Sequence, residues 1–305
     1  MELGTGFLRK HLNTAFEMPD INQARRFLDS IELRLPMHDG VKRTPVTQPG
    51  FRGEWFELEN HSSAATLLYF HGGGYTFYPR SYSFFLQLMT KATQARLLAL
   101  DYRLAPEHRF PAQLDDAIAA YSWLLNEGTQ PEKLIIAGDS AGAHLALGCL
   151  LRARDLNLPM PALAIALSPP TDLETDWPSY ELNAPYDWIQ KPMLNTWADY
   201  FCSVSERKNP CISLINANLS NLCPIYIQCG SAEILYDSIQ AFGARGQAEG
   251  AQITIESWPD MNHVFQLFGP ALAQSRQALS QIGKATQAAI LAADHSKPRL
   301  VAERE

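Results

Sequence analysis

Apolar positions along the chain follow two patterns, one typical of strands and one of helices. Strand-type stretches are "AATLLYF" (64–70), "RLLALDY" (96–102), "KLIIAG" (133–138), "ALAIALS" (162–168), "PIYIQCG" (224–230), "ITIESW" (253–258) and the alternating edge-type "EWFELE" (54–59). Apolar residues recur at helical spacing in residues 7–35, with a break at Pro19, and in residues 81–94, 111–127, 143–153, 236–248 and 270–292. Residues 36–50 are predicted to be a connection. This alternation predicts an α/β fold with a mostly parallel central sheet and helices on both faces.

One long segment departs from that alternation. Residues 170–223 carry no strand pattern and are rich in aromatic residues, and Leu194, Trp197 and Phe201 share one helical face. Two compatible interpretations follow, an extra helical layer with its own small core or a lid over a site. Residues 295–305 form a polar tail.

Composition narrows the class of protein. The 305 residues are 46% hydrophobic and 19% charged, which is typical of a globular protein with an ample core. A net charge of −7 without a basic stripe argues against a nucleic-acid partner. Five cysteines in apolar stretches fit no zinc or disulfide pattern and are interpreted as buried free thiols. No signal-like or transmembrane-length run is present, so we expect a cytoplasmic protein without a membrane partner.

The strongest chemical motif is the sequence "GDSAG" (138–142) between a predicted strand and a predicted helix. In that context G-x-S-x-G forms a strained turn that lifts the serine clear of the carboxyl end of the strand. Ser140 is therefore the candidate nucleophile.

A nucleophilic serine needs a base and an orienting acid, and in this architecture the chain order is Ser, Asp/Glu, His. His144 lies one turn into the predicted helix that follows Ser140 and should point away from the serine. His295 lies in the polar tail. His263, in a loop after the last strand, is therefore the candidate base. Glu233 follows the strand "PIYIQCG" directly and is the favoured acid, with Asp237 as the alternative. A further carboxylate, Asp260, is assigned to a turn.

The stretch "HGGGY" (71–75) follows a buried strand. Because glycines carry no side chain, their main-chain N–H groups can approach and donate to the oxyanion that forms when a serine attacks an acyl carbon. The predicted donors are the N–H groups of Gly73, Gly74 and Ala141, with His71 anchoring the loop. The chain has neither a phosphate-binding glycine pattern nor histidine spacing suited to a metal, so we expect no cofactor and no metal.

Five motifs in order, "HGGGY", "DYRLAPEHRFPA" (101–112), "GDSAG", "SAEILYDS" (231–238) and "NHVF" (262–265), resemble those of the hormone-sensitive-lipase-like esterases (bacterial family IV). The resemblance runs from about residue 50 to 290. It implies an α/β-hydrolase core over 46–169 and 216–294 and a helical cap over 1–45 and 170–215. It also implies Ser140, Glu233 (an aspartate in many relatives) and His263 as the triad, and Gly73, Gly74 and Ala141 as the oxyanion hole.

The expected activity is that of a serine carboxylesterase, and the resemblance implies esters of short acyl chains. The expected partner is a small-molecule ester, with Tyr75, Tyr78, Trp188 and Trp197 as candidate substrate-binding residues. Departures from the family pattern are the aromatic residues in "TFYPRSY", Pro170 in "LSPPTD" and "HVF" in place of "HGF". The alternatives are an amidase or deacetylase with the same triad, and a non-catalytic ligand-binding protein. The resemblance also suggests a homodimer.

Overall fold

The computed structural model describes residues 2–31, 40–59, 63 and 65–295. Their eight strands form one sheet in the order β1-β2-β4-β3-β5-β6-β7-β8. The strands are β1 (Val41–Gln48), β2 (Phe51–Leu58), β3 (Thr66–Phe70), β4 (Arg96–Leu100), β5 (Leu134–Asp139), β6 (Leu163–Leu167), β7 (Ile225–Gly230) and β8 (Ile253–Trp258). Pairs β1–β2 and β2–β4 are antiparallel and all others are parallel. The predicted α/β class with a mostly parallel sheet is confirmed.

Helices cover both faces of the sheet. They are α1 (Glu2–Phe16), α2 (Ile21–Ser30), α3 (Tyr82–Thr93), α4 (Ala112–Asn126), α5 (Ala141–Asp155), α6 (Ser179–Leu182), α7 (Lys191–Phe201), α8 (Tyr236–Ala248) and α9 (Ala273–His295). In β3, Leu68 and Phe70 pack in the core formed with α4, α5 and α8, whereas Leu67 and Tyr69 pack on the α3 and α9 side. Because successive strand residues point to opposite faces, a fully apolar strand fills two cores at once.

The first strand differs from the sequence prediction. Residues 41–48 lie within the predicted connection and across the predicted start of the core at residue 46, yet they form β1 and pair with β2 from Val41↔Leu58 to Gln48↔Phe51. Pro45 weakens the strand signal, but an edge strand tolerates proline because one side of its backbone has no partner. Residues 32–35 of the predicted first helical region, and residues 296–305 of the polar tail, lie outside the described residues.

The aromatic segment 170–223 is described throughout and contains helices and 3-10 turns but no strand. Within it, the Phe201 ring stacks on Tyr75 at 4.0 Å between ring centres, which places α7 over the loop that follows β3. All five cysteines are unpaired, and four of them are buried. Among the residues that the structure describes, no helix is long and apolar enough to cross a membrane.

Candidate active site

Ser140 occupies a strained turn at the carboxyl end of β5. Its backbone has φ 51° and ψ −124°, a conformation that side-chain-bearing residues rarely adopt. A Cβ at Gly142 would lie only 2.0 Å from the carbonyl oxygen of Phe70, so the helix that follows can approach β3 this closely only with glycine there. The turn therefore presents the Ser140 hydroxyl above the edge of the sheet, as the motif predicts.

His263 lies in the loop after β8 with its ring beside that serine. Its Nε2 atom is 2.8 Å from the Oγ atom of Ser140, within hydrogen-bonding distance. The side chain is completely buried, and this burial lowers the pKa of His263 below its ordinary value of 6.5. The imidazole is therefore neutral at pH 7, which is the form that can accept a proton from the serine.

Glu233 lies in the turn after β7, on the far side of the same imidazole ring. One of its carboxylate oxygens is 3.5 Å from Nδ1 of His263, and its side chain is completely buried. Burial raises the pKa of Glu233 to about 8, and the neighbouring Ser168 side chain acts in the opposite direction. The Ser168 hydroxyl oxygen accepts the main-chain N–H of Val264, the residue after His263, at 3.1 Å.

The alternative residues from the sequence are occupied elsewhere. The Asp237 carboxylate accepts the main-chain N–H of Ser179 at 2.8 Å, and Asp260 is exposed in a turn. His144 is hydrogen-bonded to the Tyr75 hydroxyl and to the carbonyl oxygen of Ile212, and burial lowers its pKa to about 4. The structure thus brings together Ser140, His263 and Glu233, and leaves the other candidates apart from them.

The glycines after β3 approach neighbouring groups too closely for any side chain. A Cβ at Gly73 would lie 2.2 Å from the carbonyl oxygen of Phe77, and one at Gly74 would lie 2.4 Å from the Trp197 ring. Both glycines have positive φ, 106° and 60°. Gly73, Gly74 and Ser140 line the same cavity, so bare backbone faces the space beside the serine hydroxyl.

Asp139, the residue before the serine, holds this glycine loop. Its Oδ1 atom accepts the Tyr69 hydroxyl at 2.7 Å and the main-chain N–H of Gly72 at 3.1 Å, and its Oδ2 atom accepts the Tyr82 hydroxyl. Burial raises the pKa of Asp139, while the two tyrosine hydroxyls counteract that effect. No role was assigned to Asp139 from the sequence, although its position inside the "GDSAG" motif could have indicated one.

A cavity of about 350 Å³ opens above Ser140. Its walls come from α1, the end of α2, the glycine loop, the start of α3, residues 188–197 and the segment after His263, and they are mostly apolar. Trp188 and Trp197 line it as the sequence suggested.

Tyr75 and Tyr78, the other two candidate substrate-binding residues, do not line this cavity. Tyr75 is buried beneath the loop, where its φ of 63° turns the chain, and Tyr78 stacks on His71 at 3.6 Å between ring centres. The intervening Phe77 forms part of the cavity wall instead.

Comparisons with known proteins agree with this geometry. A family model described as the alpha/beta hydrolase fold matches residues 67–267. An acetyl-hydrolase of Streptomyces hygroscopicus is 36% identical over 220 residues, which are 72% of this chain and 74% of that relative.

Solved structures match nearly the whole chain. An esterase from the bacterial hormone-sensitive lipase (HSL) family has a TM-score of 0.87 at 32% identity, covering 94% of this chain and 98% of its own. EstE5, from a crystal soaked with p-nitrophenyl butyrate, has a TM-score of 0.86 at 34% identity, and the match covers 94% of this chain and 97% of EstE5. The chain belongs to the α/β-hydrolase family. Its resemblance to the bacterial hormone-sensitive-lipase-like esterases is confirmed.

Proposed function

We propose that this chain, a carboxylic ester hydrolase, acts through Ser140 as nucleophile, His263 as general base and Glu233 as orienting acid. The observation that carries the proposal is the 2.8 Å contact between Nε2 of His263 and Oγ of Ser140, at the floor of an apolar cavity. A serine hydroxyl becomes an effective nucleophile only when such a base removes its proton.

The reaction follows from these positions. Oγ of Ser140 attacks the ester carbonyl carbon while His263 takes the hydroxyl proton, and the carbonyl oxygen becomes an oxyanion. The N–H groups of Gly73, Gly74 and Ala141 are the proposed donors to that oxyanion. His263 then gives its proton to the departing alcohol, and a water activated by the same ring releases the acid from Ser140. Glu233 stabilises the imidazolium that forms in each half of the reaction.

The cavity supports a small, neutral substrate. Its volume of about 350 Å³ lies near the lower end of the range of about 300 to 1,000 Å³ that is usual for ligand pockets. This space must hold both the acyl and the alcohol part of the ester, so we infer a short acyl chain. None of the described residues that line the cavity is a lysine or an arginine, and this favours uncharged esters over anionic ones.

The test is the release of p-nitrophenol from acetate, butyrate, octanoate and laurate esters. We expect kcat/KM to be highest for acetate or butyrate and to fall by at least about 10⁴-fold in Ser140→Ala. Ser205→Ala, at an exposed serine of the cap, is the matched control and should keep full activity.

Other outcomes would change the proposal in defined ways. A maximum at octanoate or laurate would overturn the short-chain assignment but leave the mechanism. Equal activity in Ser140→Ala would overturn the nucleophile. Turnover of p-nitroacetanilide without turnover of any ester would favour the amidase alternative.

A further inference from the structure

A second carboxylate, which the mechanism above does not use, is buried beside the triad. Asp187 lies in the cap between α6 and α7, and its side chain is completely buried. Its Oδ1 atom accepts the main-chain N–H groups of His263 at 3.1 Å and of Trp188 at 2.8 Å. Its Oδ2 atom accepts the main-chain N–H of Ile234, the residue after Glu233, at 2.8 Å. One carboxylate thus joins the loop of the acid to the loop of the base.

The next residue, Trp188, binds the other main-chain polar group of His263. The indole N–H of Trp188 donates to the carbonyl oxygen of His263 at 2.5 Å. Both main-chain polar groups of His263 are therefore bound by two adjacent cap residues. The position of the His263 main chain determines where its side chain starts, and hence the distance from Nε2 to the Ser140 hydroxyl.

The cap segment is itself fixed by the N-terminal helix. The Arg9 guanidinium, on α1, donates to the carbonyl oxygens of Ala184 at 2.9 Å, Pro185 at 3.1 Å and Asp187 at 3.0 Å. Arg9 thereby holds the turn that carries Asp187. A continuous set of hydrogen bonds runs from α1 through the cap to the main chain of His263.

Burying this carboxylate is unfavourable unless all its partners are in place. Burial raises the pKa of Asp187 to about 6, even though the protonated form of His263 and two main-chain N–H groups lower it. An apolar side chain of similar size would fill the space without that penalty. A carboxylate with both oxygens engaged instead supplies fixed geometry between three segments that are distant in the sequence.

We propose that Asp187 is a positioning residue for ester hydrolysis, which locks the loop of Glu233 to the loop of His263 and makes assembly of the triad depend on a seated cap. The proposal rests on the function proposed above. Reacting groups displaced by about 1 Å can lose about 100-fold in rate. Loss of this carboxylate should accordingly lower kcat rather than raise KM, because Asp187 itself does not line the cavity.

The experiment compares Asp187→Asn with Asp172→Asn. Asn keeps the shape but offers one acceptor oxygen, so its NH₂ group must face at least one of the three N–H groups. Asp172 is a matched control, because this buried cap carboxylate also accepts three N–H groups, from Glu174, Thr175 and the Trp177 indole, and none belongs to the triad loops.

We expect Asp187→Asn to lower kcat for p-nitrophenyl butyrate by about 30- to 100-fold with KM changed less than about threefold. Asp172→Asn should lower Tm to a similar extent and leave kcat within about twofold. Equal kcat in both variants at equal Tm, or an effect of Asp187→Asn on KM alone, would overturn the proposal.

Arg9→Ala provides a second test that does not depend on Asp187→Asn folding. It should lower kcat several-fold, and the double variant Arg9→Ala/Asp187→Asn should lose no more than Asp187→Asn alone, since both act through one set of contacts. An unchanged kcat in Arg9→Ala would contradict the proposal that the N-terminal helix helps to position His263. If the losses in kcat of the two single variants added fully in the double variant, Arg9 and Asp187 would not act through the same contacts. Activity remaining in Ser140→Ala would instead contradict the proposed function itself.

Discussion

Replacing Glu233 by glutamine should stabilise the folded protein while it abolishes hydrolysis. The carboxyl group is completely buried, and burial raises its pKa from 4.5 to about 8. A group whose folded pKa lies above its unfolded pKa favours folding only in its protonated form. Stability is therefore lost as pH rises from about 4.5 through about 8. Glutamine has nearly the same shape but never ionises, so it escapes this loss.

The size of the stability difference follows from the rise in the pKa of Glu233. A rise in pKa from 4.5 to about 8 corresponds, at about 1.36 kcal/mol per pH unit, to a ceiling of about 5 kcal/mol above pH 8. Relaxation around an ionised carboxylate reduces this ceiling, so about 2 to 5 kcal/mol is expected at pH 9 and almost nothing near pH 5. At pH 9, where the Glu233 carboxyl is ionised, activity should fall by at least about 100-fold, because the imidazolium loses its anionic partner.

The assay is urea unfolding of the native protein and of Glu233→Gln at pH 5, 6, 7, 8 and 9. We expect the difference in free energy of unfolding to grow in favour of the variant up to pH 8 and then to level off. Glu127→Gln, at an exposed position at the end of α4, is the matched control for the amide substitution itself and should leave the free energy of unfolding nearly unchanged. A constant difference for Glu233→Gln, or a variant less stable than the native protein at pH 9, would refute the reasoning.

Three further predictions concern the cavity and the glycine loop. Gly74→Ala would place a Cβ 2.4 Å from the Trp197 ring, so kcat for p-nitrophenyl butyrate should fall by about 100-fold or more, and an unchanged kcat would argue against a donor at this position. Val264 is a buried cavity residue with φ 45°. In Val264→Gly, release of about 1 to 3 kcal/mol of strain should offset most of the lost burial, so we expect little change in Tm and a several-fold rise in the octanoate-to-butyrate ratio of kcat/KM. A large drop in Tm with an unchanged ratio would contradict this. Tyr82→Phe removes a hydroxyl that donates to Asp139, which should cost about 1.5 to 3 kcal/mol in the free energy of unfolding by urea, and a loss below about 0.5 kcal/mol would show that the bond contributes little.

The sequence predicted the parts of the site that depend on local geometry. The strained turn at Ser140 needs small neighbours within a few residues, so it leaves a recognisable motif. Ser140, Glu233 and His263 each follow a predicted strand, and the carboxyl ends of parallel strands meet at one edge of the sheet. Their order along the chain matches the one known for this architecture. The serine could be predicted because its turn depends on residues close together in the chain, and the acid and base because each follows a recognisable strand.

The parts that the sequence did not reveal depend on which loops meet in space. Ser168 and Asp187 bind main-chain N–H groups in the loops of His263 and Glu233 although they lie far from them in the chain, and Asp187 belongs to no motif. Phe77, rather than Tyr75 or Tyr78, lines the cavity, in a loop whose backbone has positive φ at Gly73, Gly74 and Tyr75 and so makes a left-handed turn at Tyr75. Periodicity alone does not predict such a turn at a tyrosine.

The measurement that tests the central claim most directly is covalent labelling of the nucleophile. The protein is treated with phenylmethylsulfonyl fluoride, and the mass of the intact chain and of its peptides is determined. We predict one sulfonyl group on Ser140, loss of activity in proportion to labelling, and no labelling in His263→Ala. A label on another residue, or full activity in a protein completely labelled at Ser140, would contradict the account.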